Sequence, residues 1–360
     1  MMVSSSAKRL AQRVETVSVL CMRSFLNITR AIGNCPSLRS SPLSIIIVNS
    51  NAGSFLDNCI KSIRDEGIPC EVHIVDNASQ DGSQRLIAEW SREWNAVKPI
   101  FNSVNKGLSA ANNQALSILS GKYVLILNPD TVVLKGALKA LTDFLDAHPK
   151  VGAIGPRNLF GDGRPHTSHF VTWTAVHAIM WKLFPYNFMR GLYDRHLTRY
   201  ELENVTFVSS SCLMTRVALM RDLGGYDEKF FLSVYDCIDL CHRIKAKGYG
   251  VVYFPDASII HYTGGSSGRQ FRTLVVRQDY LESLYYYEKN GKRIEIAVVK
   301  LGLFISSFLR GIAFTLASSV SSGRGRRKAR LYIEVSRTLI KKPLRWQETR
   351  GRLEQPSLHP

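Results

Sequence analysis

Short apolar runs alternate with amphipathic segments along the first part of the chain. Runs rich in aliphatic and β-branched residues, typical of buried strands, occur at 44–49, 72–75, 99–101 and 123–127. Between them, apolar residues recur at helical spacing within 55–63, 86–90, 109–119 and 138–145. Strands that alternate with helices in this way predict an α/β fold with a doubly wound, mostly parallel central sheet.

The strand predicted at 123–127 ends abruptly at Asn128-Pro129-Asp130. Proline cannot donate to a sheet and disfavours helix at the residue before it, so Asp130 falls at the carboxyl edge of the sheet. Open α/β sheets bind ligands at that edge, and a carboxylate there suits Mg²⁺ or Mn²⁺ bridging phosphates. The simpler interpretation is that Asp130 caps a helix beginning near Leu134.

A polar loop follows the strand at 72–75. Residues 76–83 read Asp-Asn-Ala-Ser-Gln-Asp-Gly-Ser, which is loop chemistry, and Asp81 or Ser83 can cap the next helix. No G-x-G-x-x-G follows the first strand, so a dinucleotide-binding Rossmann site is disfavoured.

The second part of the chain is less periodic. Strands are predicted at 151–154, 207–214, 251–254 and 257–260, and a helix over 235–247. The aromatic and basic segment 170–200 is predicted to be irregular, and it suits an acceptor-binding wall, a membrane-facing surface or ordinary core. Residues 294–320 are mostly apolar and a basic run follows at 324–330, which favours a helix lying on an anionic membrane over a core-packed helix. No charge-free apolar stretch reaches 18 residues, so no ordinary spanning helix is predicted.

Composition narrows the class of protein. The 360 residues are 45% hydrophobic, as in a folded globular protein, and carry a formal net charge of +18, which indicates an anionic partner. The excess of basic residues lies near the two ends, and no helix-turn-helix, RRM or zinc module occurs, so nucleic-acid binding is disfavoured. Residues 1–41 contain Glu15 as their one acid; a disordered basic extension or an upstream start codon suits them better than a targeting peptide, because no apolar region stands out.

The seven cysteines are scattered and odd in number, without a CxxC pair, which fits a reducing compartment better than a disulfide framework. Cys237, Cys241 and His242 are close in sequence. Because no second ligand pair follows at zinc-finger spacing, buried thiols on a helix face are the favoured interpretation there.

Seven segments occur in the order expected of one enzyme family: 44–53, 75–83, 105–116, 125–133, 224–232, 239–249 and 261–267. Together they resemble the family 2 glycosyltransferases of the inverting, metal-dependent kind, in the subgroup that contains bacterial rhamnosyltransferases. The specific part is DNASxDGS followed by NPDT and a late H-x-x-G-G-S. The resemblance implies a GT-A fold with an acceptor-binding second half and C-terminal helices. It divides the chain into the extension 1–41, a catalytic domain at 42–290 with halves 42–155 and 156–290, and a tail at 291–360.

The resemblance also implies roles for particular residues. The nucleotide of the donor would be bound by Asn49, Asp76, Asp81, Asn105, Gly107 and Asn128. Asp76 would accept hydrogen bonds from the base or the ribose, and Asn128 stands where the family's metal motif usually begins with an acid. The divalent cation, Mn²⁺ or Mg²⁺, would be bound by Asp130 and His261. A structural role is the alternative for this histidine.

The catalytic base is ambiguous by one residue. The family supplies it from a Glu-Asp pair after a Phe-Phe segment. Counting forward from Phe230-Phe231 makes Asp236 the base, whereas counting back from Asp239-Leu240 places Cys237 there. Asp236 is therefore the first candidate and Asp239 the second.

The implied function is inverting transfer of a sugar from a nucleotide donor to a cell-surface polysaccharide or lipid-linked glycan, at the cytoplasmic face of the plasma membrane. The resemblance favours L-rhamnose from dTDP-rhamnose. A UDP- or GDP-hexose donor is the first alternative, and a catalytically weak scaffold or glycan-binding subunit is the second. The scaffold has one support, the altered acidic pair.

Overall fold

The computed structural model describes residues 43–196, 203–231, 234–262, 269–318 and 323–340. The predicted extension 1–41, the glycine-rich segment 264–268 and the tail beyond 340 lie outside the described residues. The strands are β1 (Leu43–Asn49), β2 (Cys70–Asn77), β3 (Val97–Asn102), β4 (Tyr123–Leu127), β5 (Thr131–Val133), β6 (Val151–Leu159), β7 (Pro165–His166), β8 (His169–Phe170), β9 (Glu203–Asn204), β10 (Phe207–Val208), β11 (Cys212–Arg216) and β12 (Gly250–His261). The helices are α1 (Gly53–Asp65), α2 (Ser83–Glu93), α3 (Leu108–Leu116), α4 (Ala137–Ala147), α5 (Ala175–Leu183), α6 (Tyr186–His196), α7 (Val217–Asp222), α8 (Tyr235–Ala246), α9 (Arg269–Asn290), α10 (Arg293–Ser318) and α11 (Gly323–Ile340).

One large mixed sheet organises the fold. Four parallel strands lie side by side in the order β3-β2-β1-β4, as the sequence predicts. β11 then pairs antiparallel with β4 and β6, β12 runs parallel to β6, and β5 ends the row antiparallel to β12. The order is β3-β2-β1-β4-β11-β6-β12-β5. Strands of both predicted halves therefore belong to one sheet; the division into two functional halves stays a prediction.

The central strands alternate between two cores. Ile45 and Ile47 of β1 pack in the core that contains α1, α2 and α4, whereas Ile46 faces the core that contains α3 and α8. Neighbouring β4 alternates in the same way, with Leu125 on one face and Ile126 on the other. Continuous apolar runs are needed here because both faces of the sheet are covered.

The second part of the chain corrects several predictions. The segment predicted to be irregular at 170–200 forms two helices over much of its length, α5 and α6. The two strands predicted at 251–254 and 257–260 are one strand, β12, with a register shift opposite β6. The strand predicted at 207–214 is divided into β10 and β11. Neither β5, which has three residues, nor α9 was predicted from the sequence.

The C-terminal helices pack against one another and against α5. α10 runs over most of the apolar segment predicted at 294–320. Among the described helices, α10 alone is long and apolar enough to cross a membrane by length and composition, with 28% of its apolar window buried, although no such helix was predicted. Its buried residues include Val299 and Leu303.

Candidate active site

The carboxyl ends of β1 and β2 bring two polar side chains together. Asn49 and Asp76 are register partners, and the Asn49 amide donates to Asp76 Oδ1 over 2.8 Å. Asp76 Oδ2 accepts from the Ser79 backbone and from Gln84 Nε2, at 3.0 and 2.9 Å. The carboxylate is thus fixed in orientation at the edge of the sheet. Asn49 Oδ1 is buried and has no hydrogen-bond partner among the described residues.

Asp81 lies farther out on the same loop. It is exposed and accepts from the Ser83 backbone at 3.1 Å, while the cap residue of α2 is Gly82, which makes no side-chain capping bond. Asp81 Oδ2 also approaches the N-terminus of α1, where a side chain on Gly53 would meet it at 3.3 Å. Asp81 therefore lies beside the N-terminus of α1, and its side chain does not contact that of Asp76 through a hydrogen bond.

A second polar loop joins β2, β3 and α3. The Asn77 side chain accepts from Asn102 Nδ2 and from the Lys106 backbone, at 3.1 and 3.2 Å, and donates to the Gly107 carbonyl. The side chain of Asn105 accepts from the Gly107 backbone over 2.9 Å. Asn77 and Asn102 were missed by the sequence interpretation, although each is the polar last residue of a predicted or observed strand.

Gly107 meets the second half of the protein. Its φ is +85°, in the region that favours glycine, and a Cβ here would lie 2.4 Å from a ring carbon of Phe231. The carbonyl of Phe231 accepts from the Leu108 backbone over 2.8 Å, and its own N–H donates to Glu282 Oε1. The first turn of α3 is therefore fixed against the segment that precedes α8.

Asp130 and His261 come together across two strands of opposite direction. Thr131 of β5 is the register partner of His261 of β12, and the Tyr262 backbone donates to the Asp130 carbonyl over 2.9 Å. This pairing leaves Asp130 Oδ1 3.3 Å from His261 Nε2, and Asn128 Nδ2 lies 3.4 Å from the same nitrogen. The capping interpretation of Asp130 is wrong, because α4 begins at Ala137 after the cap residue Gly136.

The residues at this position fit a divalent cation bound together with substrate phosphates. Asp130 is 3% exposed, and its Oδ1 has no hydrogen-bond partner among the described residues. No group of three His, Cys, Asp or Glu in the described part of the chain could hold a metal by itself. Mg²⁺ usually needs only one or two carboxylates, since water and phosphate oxygens complete its octahedron.

Cys237 and Cys241 lie on the buried side of α8 as free thiols. Burial raises the pKa of Cys241 to about 12 and that of Cys237 well above the ordinary value. The thiol is the wrong form for a metal ligand. The burial of both thiols agrees with their interpretation as buried cysteines on a helix face.

Asp236 is a buried carboxyl in the first turn of α8. One oxygen accepts from the Cys237 backbone over 2.5 Å, while Oδ2 is buried with no hydrogen-bond partner among the described residues. Burial raises the pKa of Asp236 to about 8, and the nearby carboxylates of Glu282 and Asp239 act in the same direction. A carboxyl with a free oxygen and a raised pKa has the properties of a general base or acid.

Asp239 lies one turn farther along and has the opposite surroundings. Its Oδ2 accepts from Arg243 Nε at 2.7 Å, and its Oδ1 accepts from Lys289 and Asn290 at 2.8 and 3.1 Å. It joins α8 to the end of α9. Since its oxygens are occupied by these donors, the geometry suits a structural ion pair better than proton transfer.

A short serine segment before β11 contacts both the loop that carries Asp130 and helix α8, which carries Asp236. The Asn128 backbone donates to the Ser211 carbonyl over 3.0 Å, and the neighbouring Ser210 hydrogen-bonds to the thiol of Cys237. The loop that carries Asp130 and the helix that carries Asp236 are therefore joined through two adjacent residues.

Comparisons with known proteins identify the family of the chain. The family model "Glycosyl transferase family 2" matches residues 44–224, which is half of the chain. The N-acetylglucosaminyl-diphospho-decaprenol L-rhamnosyltransferase of Mycobacterium tuberculosis is 26% identical over 243 residues, covering 63% of this chain and 78% of that protein. An O-antigen biosynthesis protein of Myxococcus xanthus is 30% identical over 160 residues, which cover 44% of this chain and 12% of that protein.

A solved structure supports the predicted fold. The structure of GalNAc-T7 with UDP, GalNAc and Mn²⁺ has a TM-score of 0.50 to this chain at 16% sequence identity. The match covers 70% of this chain and half of that one. The predicted GT-A fold is thereby confirmed.

Proposed function

The chain belongs to glycosyl transferase family 2, and from that premise we propose that it moves a sugar from a nucleoside-diphosphate donor onto a hydroxyl of a glycan acceptor, with inversion at the anomeric carbon. The observation that carries the proposal is that three of the buried oxygens that lack a hydrogen-bond partner among the described residues lie in the candidate site. They are Asn49 Oδ1, Asp130 Oδ1 and Asp236 Oδ2. A buried acceptor left without a donor is costly, and a bound substrate supplies the missing partner.

Each of these oxygens corresponds to one part of the substrates. Asn49 Oδ1, beside the fixed carboxylate of Asp76, suits an N–H or hydroxyl of the nucleoside. Asn77, Asn102 and the Gly107 turn would shape the adjoining wall. Asp130 with His261 would hold Mn²⁺ or Mg²⁺, which supplies positive charge against the leaving diphosphate when it is bound.

Asp236 would act on the acceptor. Its free oxygen takes the proton of the acceptor hydroxyl as that oxygen attacks the anomeric carbon from the face opposite the diphosphate. One bond forms between the hydroxyl oxygen and the sugar while the bond from the sugar to the diphosphate breaks. A single displacement of this kind inverts the anomeric configuration.

We propose L-rhamnose from dTDP-rhamnose as the donor sugar and a lipid-linked glycan as the acceptor. The support is the rhamnosyltransferase relative, whose name specifies a diphospho-decaprenol acceptor. The place of action would be the cytoplasmic face of the plasma membrane. The relative named for O-antigen biosynthesis supports a role in cell-surface polysaccharide assembly.

The decisive experiment follows release of nucleoside diphosphate from dTDP-rhamnose, UDP-hexoses and GDP-mannose in the presence of a lipid-linked glycan acceptor, each with and without Mn²⁺. Metal-dependent release from dTDP-rhamnose alone is the expected result. Preference for a UDP or GDP donor would replace the sugar and keep the reaction. No release, together with no thermal shift by dTDP, UDP or GDP, would favour the scaffold instead, because a ligand that binds only the folded state raises the melting temperature.

Two variants tie the result to the site. Asp130→Ala should abolish metal-dependent release while the protein keeps its fold, because Asp130 ends a loop and makes no side-chain hydrogen bond through Oδ1. The matched control is Asp143→Asn, an exposed acid on α4 that pairs with Lys139, and it should keep full activity. Full activity in Asp130→Ala would remove this carboxylate from the site.

A further inference from the structure

We propose that the outward face of α10, together with the groove between α10 and α11, is a docking surface for an anionic phospholipid bilayer. The face consists of eight apolar residues that are all exposed: Ile294, Val298, Leu301, Ile305, Phe308, Leu309, Ile312 and Leu316. Apart from the adjacent pair Phe308 and Leu309 they recur every three or four positions, so they occupy one arc of the helix over about 33 Å of its length. A helix on the surface of a globular protein normally turns polar residues outward, and here the outward residues are apolar.

The opposite face of α10 is already used. Val299 and Leu303 are fully buried there, the hydroxyl of Ser307 accepts from Ser336 of α11 at 2.8 Å, and Ser306 hydrogen-bonds to Tyr280 of α9 at the same distance. Arg310, which with Lys300 is one of two basic residues in the middle part of this helix, donates to carbonyls at the end of α5. The helix is therefore held on the protein by its inner face. This arrangement favours lying on a bilayer over crossing it.

The groove between α10 and α11 continues the apolar face. It has a volume of about 410 Å³, and Phe308, Ile312 and Leu316 belong both to its lining and to the outward face. Ile333 and Ile340 close it from α11, and Arg337 lies at the same place with its side chain exposed. An apolar groove beside a guanidinium suits a lipid, with hydrocarbon inside and phosphate at the edge.

The positive charge of α11 favours an anionic partner. This helix carries six basic residues and one acid, and Arg326, Arg327, Lys328 and Arg330 are all exposed. Lys328 lies over the ring of Phe314, which places this charge next to the last turns of α10. A second copy docked on the same face by two-fold symmetry would set these like charges against each other, whereas an anionic leaflet neutralises them.

The proposal is independent of the proposed sugar transfer, because it needs neither donor nor acceptor. The test is sedimentation of the full chain with vesicles of phosphatidylcholine, alone or mixed with phosphatidylglycerol. We expect binding to the anionic vesicles that weakens with salt. Arg326→Ala and Arg327→Ala should each lower the partition coefficient about fivefold, since a basic residue near an anionic surface contributes about 1 kcal/mol.

The apolar face is tested by Leu301→Glu combined with Leu316→Glu, which should lower partitioning by about tenfold or more. Ile118→Glu is the matched control, because Ile118 is 56% exposed, close to the 59% of Leu301, and lies after α3, far from α10 in the chain. Equal binding by the wild type and the double variant would overturn the proposal. The proposal would also fail if the protein bound no vesicles and formed a dimer that the double substitution dissociates. It would fail likewise if salt and alkali did not extract the bound protein from the vesicles, because that result indicates a spanning helix.

Nucleotide-induced thermal shifts of the variants keep the two proposals separate. If the variants retain the shift and lose vesicle binding, the surface proposal stands whatever the donor is. If the wild type binds anionic vesicles and no nucleotide shifts its melting temperature, the docking surface stands and the proposed donor site fails.

Discussion

Replacing Asp236 by Asn should make the folded protein more stable at neutral pH while removing sugar transfer. The carboxyl is fully buried, with the acids Glu282 and Asp239, the Tyr226 hydroxyl and the Cys237 thiol close to it. Burial and these acids raise its pKa from 3.8 to about 8. In the unfolded chain the same carboxyl ionises at its ordinary pKa. The folded state therefore keeps a proton that the unfolded state has lost.

The sign of the pH dependence follows from this difference. Between about pH 4 and pH 8 the unfolded state binds fewer protons at this position, so the free energy of unfolding decreases as pH rises, by about 1.4 kcal/mol per unit from this group. From pH 5 to pH 7 the loss is about 3 kcal/mol. Asparagine has the same shape and can still accept from the Cys237 backbone, but it does not titrate. Near pH 7 the variant should be more stable than the wild type by about 4 kcal/mol.

The measurement is urea unfolding of both proteins at pH 5, 6 and 7 at constant ionic strength. The difference in free energy of unfolding should grow with pH in favour of the variant. Parallel pH dependence in the two proteins would refute the reasoning, because it would mean that Asp236 is ionised in the folded state. In the transfer assay the same variant should keep donor binding and lose about a hundredfold or more in rate, the usual contribution of a general base.

Three further predictions concern the same region. Asp239→Asn should lower the free energy of unfolding by about 3 kcal/mol, because Arg243 and Lys289 lose their charged partner. Urea unfolding measures this loss, and a gain in stability like that of Asp236→Asn would contradict the ion-pair assignment. Gly107→Ala should weaken binding of the nucleotide and lower the free energy of unfolding by about 1–3 kcal/mol, since a Cβ at this positive φ would clash with the Phe231 ring. An unchanged melting temperature and unchanged nucleotide affinity would show that the turn adapts. The transfer rate of the wild type should rise from pH 6 to pH 8 as Asp236 loses its proton; a rate that falls over this range would exclude it as the base.

Hydrophobic runs were sufficient to predict the parallel part of the sheet. The prediction for β4 has the observed ends, because five apolar residues precede a proline that stops the strand. β2 is longer than predicted, since Asp76 and Asn77 continue its pairing although their polar side chains are typical of a loop. Asn77 was therefore missed as a candidate site residue.

The second half was harder because its elements depend on partners distant in the chain. β5 has three residues and exists through pairing with β12, more than a hundred residues later. α9 carries buried tyrosines at 285, 286 and 287, which cover more than one side of the helix, so no amphipathic period was visible. The choice between Asp236 and Asp239 likewise depends on Glu282, Lys289 and Asn290 of α9, which the local sequence of α8 does not reveal.

The position of β11 in the sheet affects how the chain can fold while it is being synthesised. β4 pairs with β1 on one side, and on the other side its partner is β11, which begins 85 residues after β4 ends. Until Cys212–Arg216 has left the ribosome, the nascent β1–β4 sheet presents the whole of β4 as a bare apolar edge, a form prone to pairing with other chains. A truncated chain ending before residue 212 should therefore aggregate, although it contains all four parallel strands. The predicted nucleotide-binding half, 42–155, is therefore not expected to fold as a separate module, because a later part of the chain closes its edge.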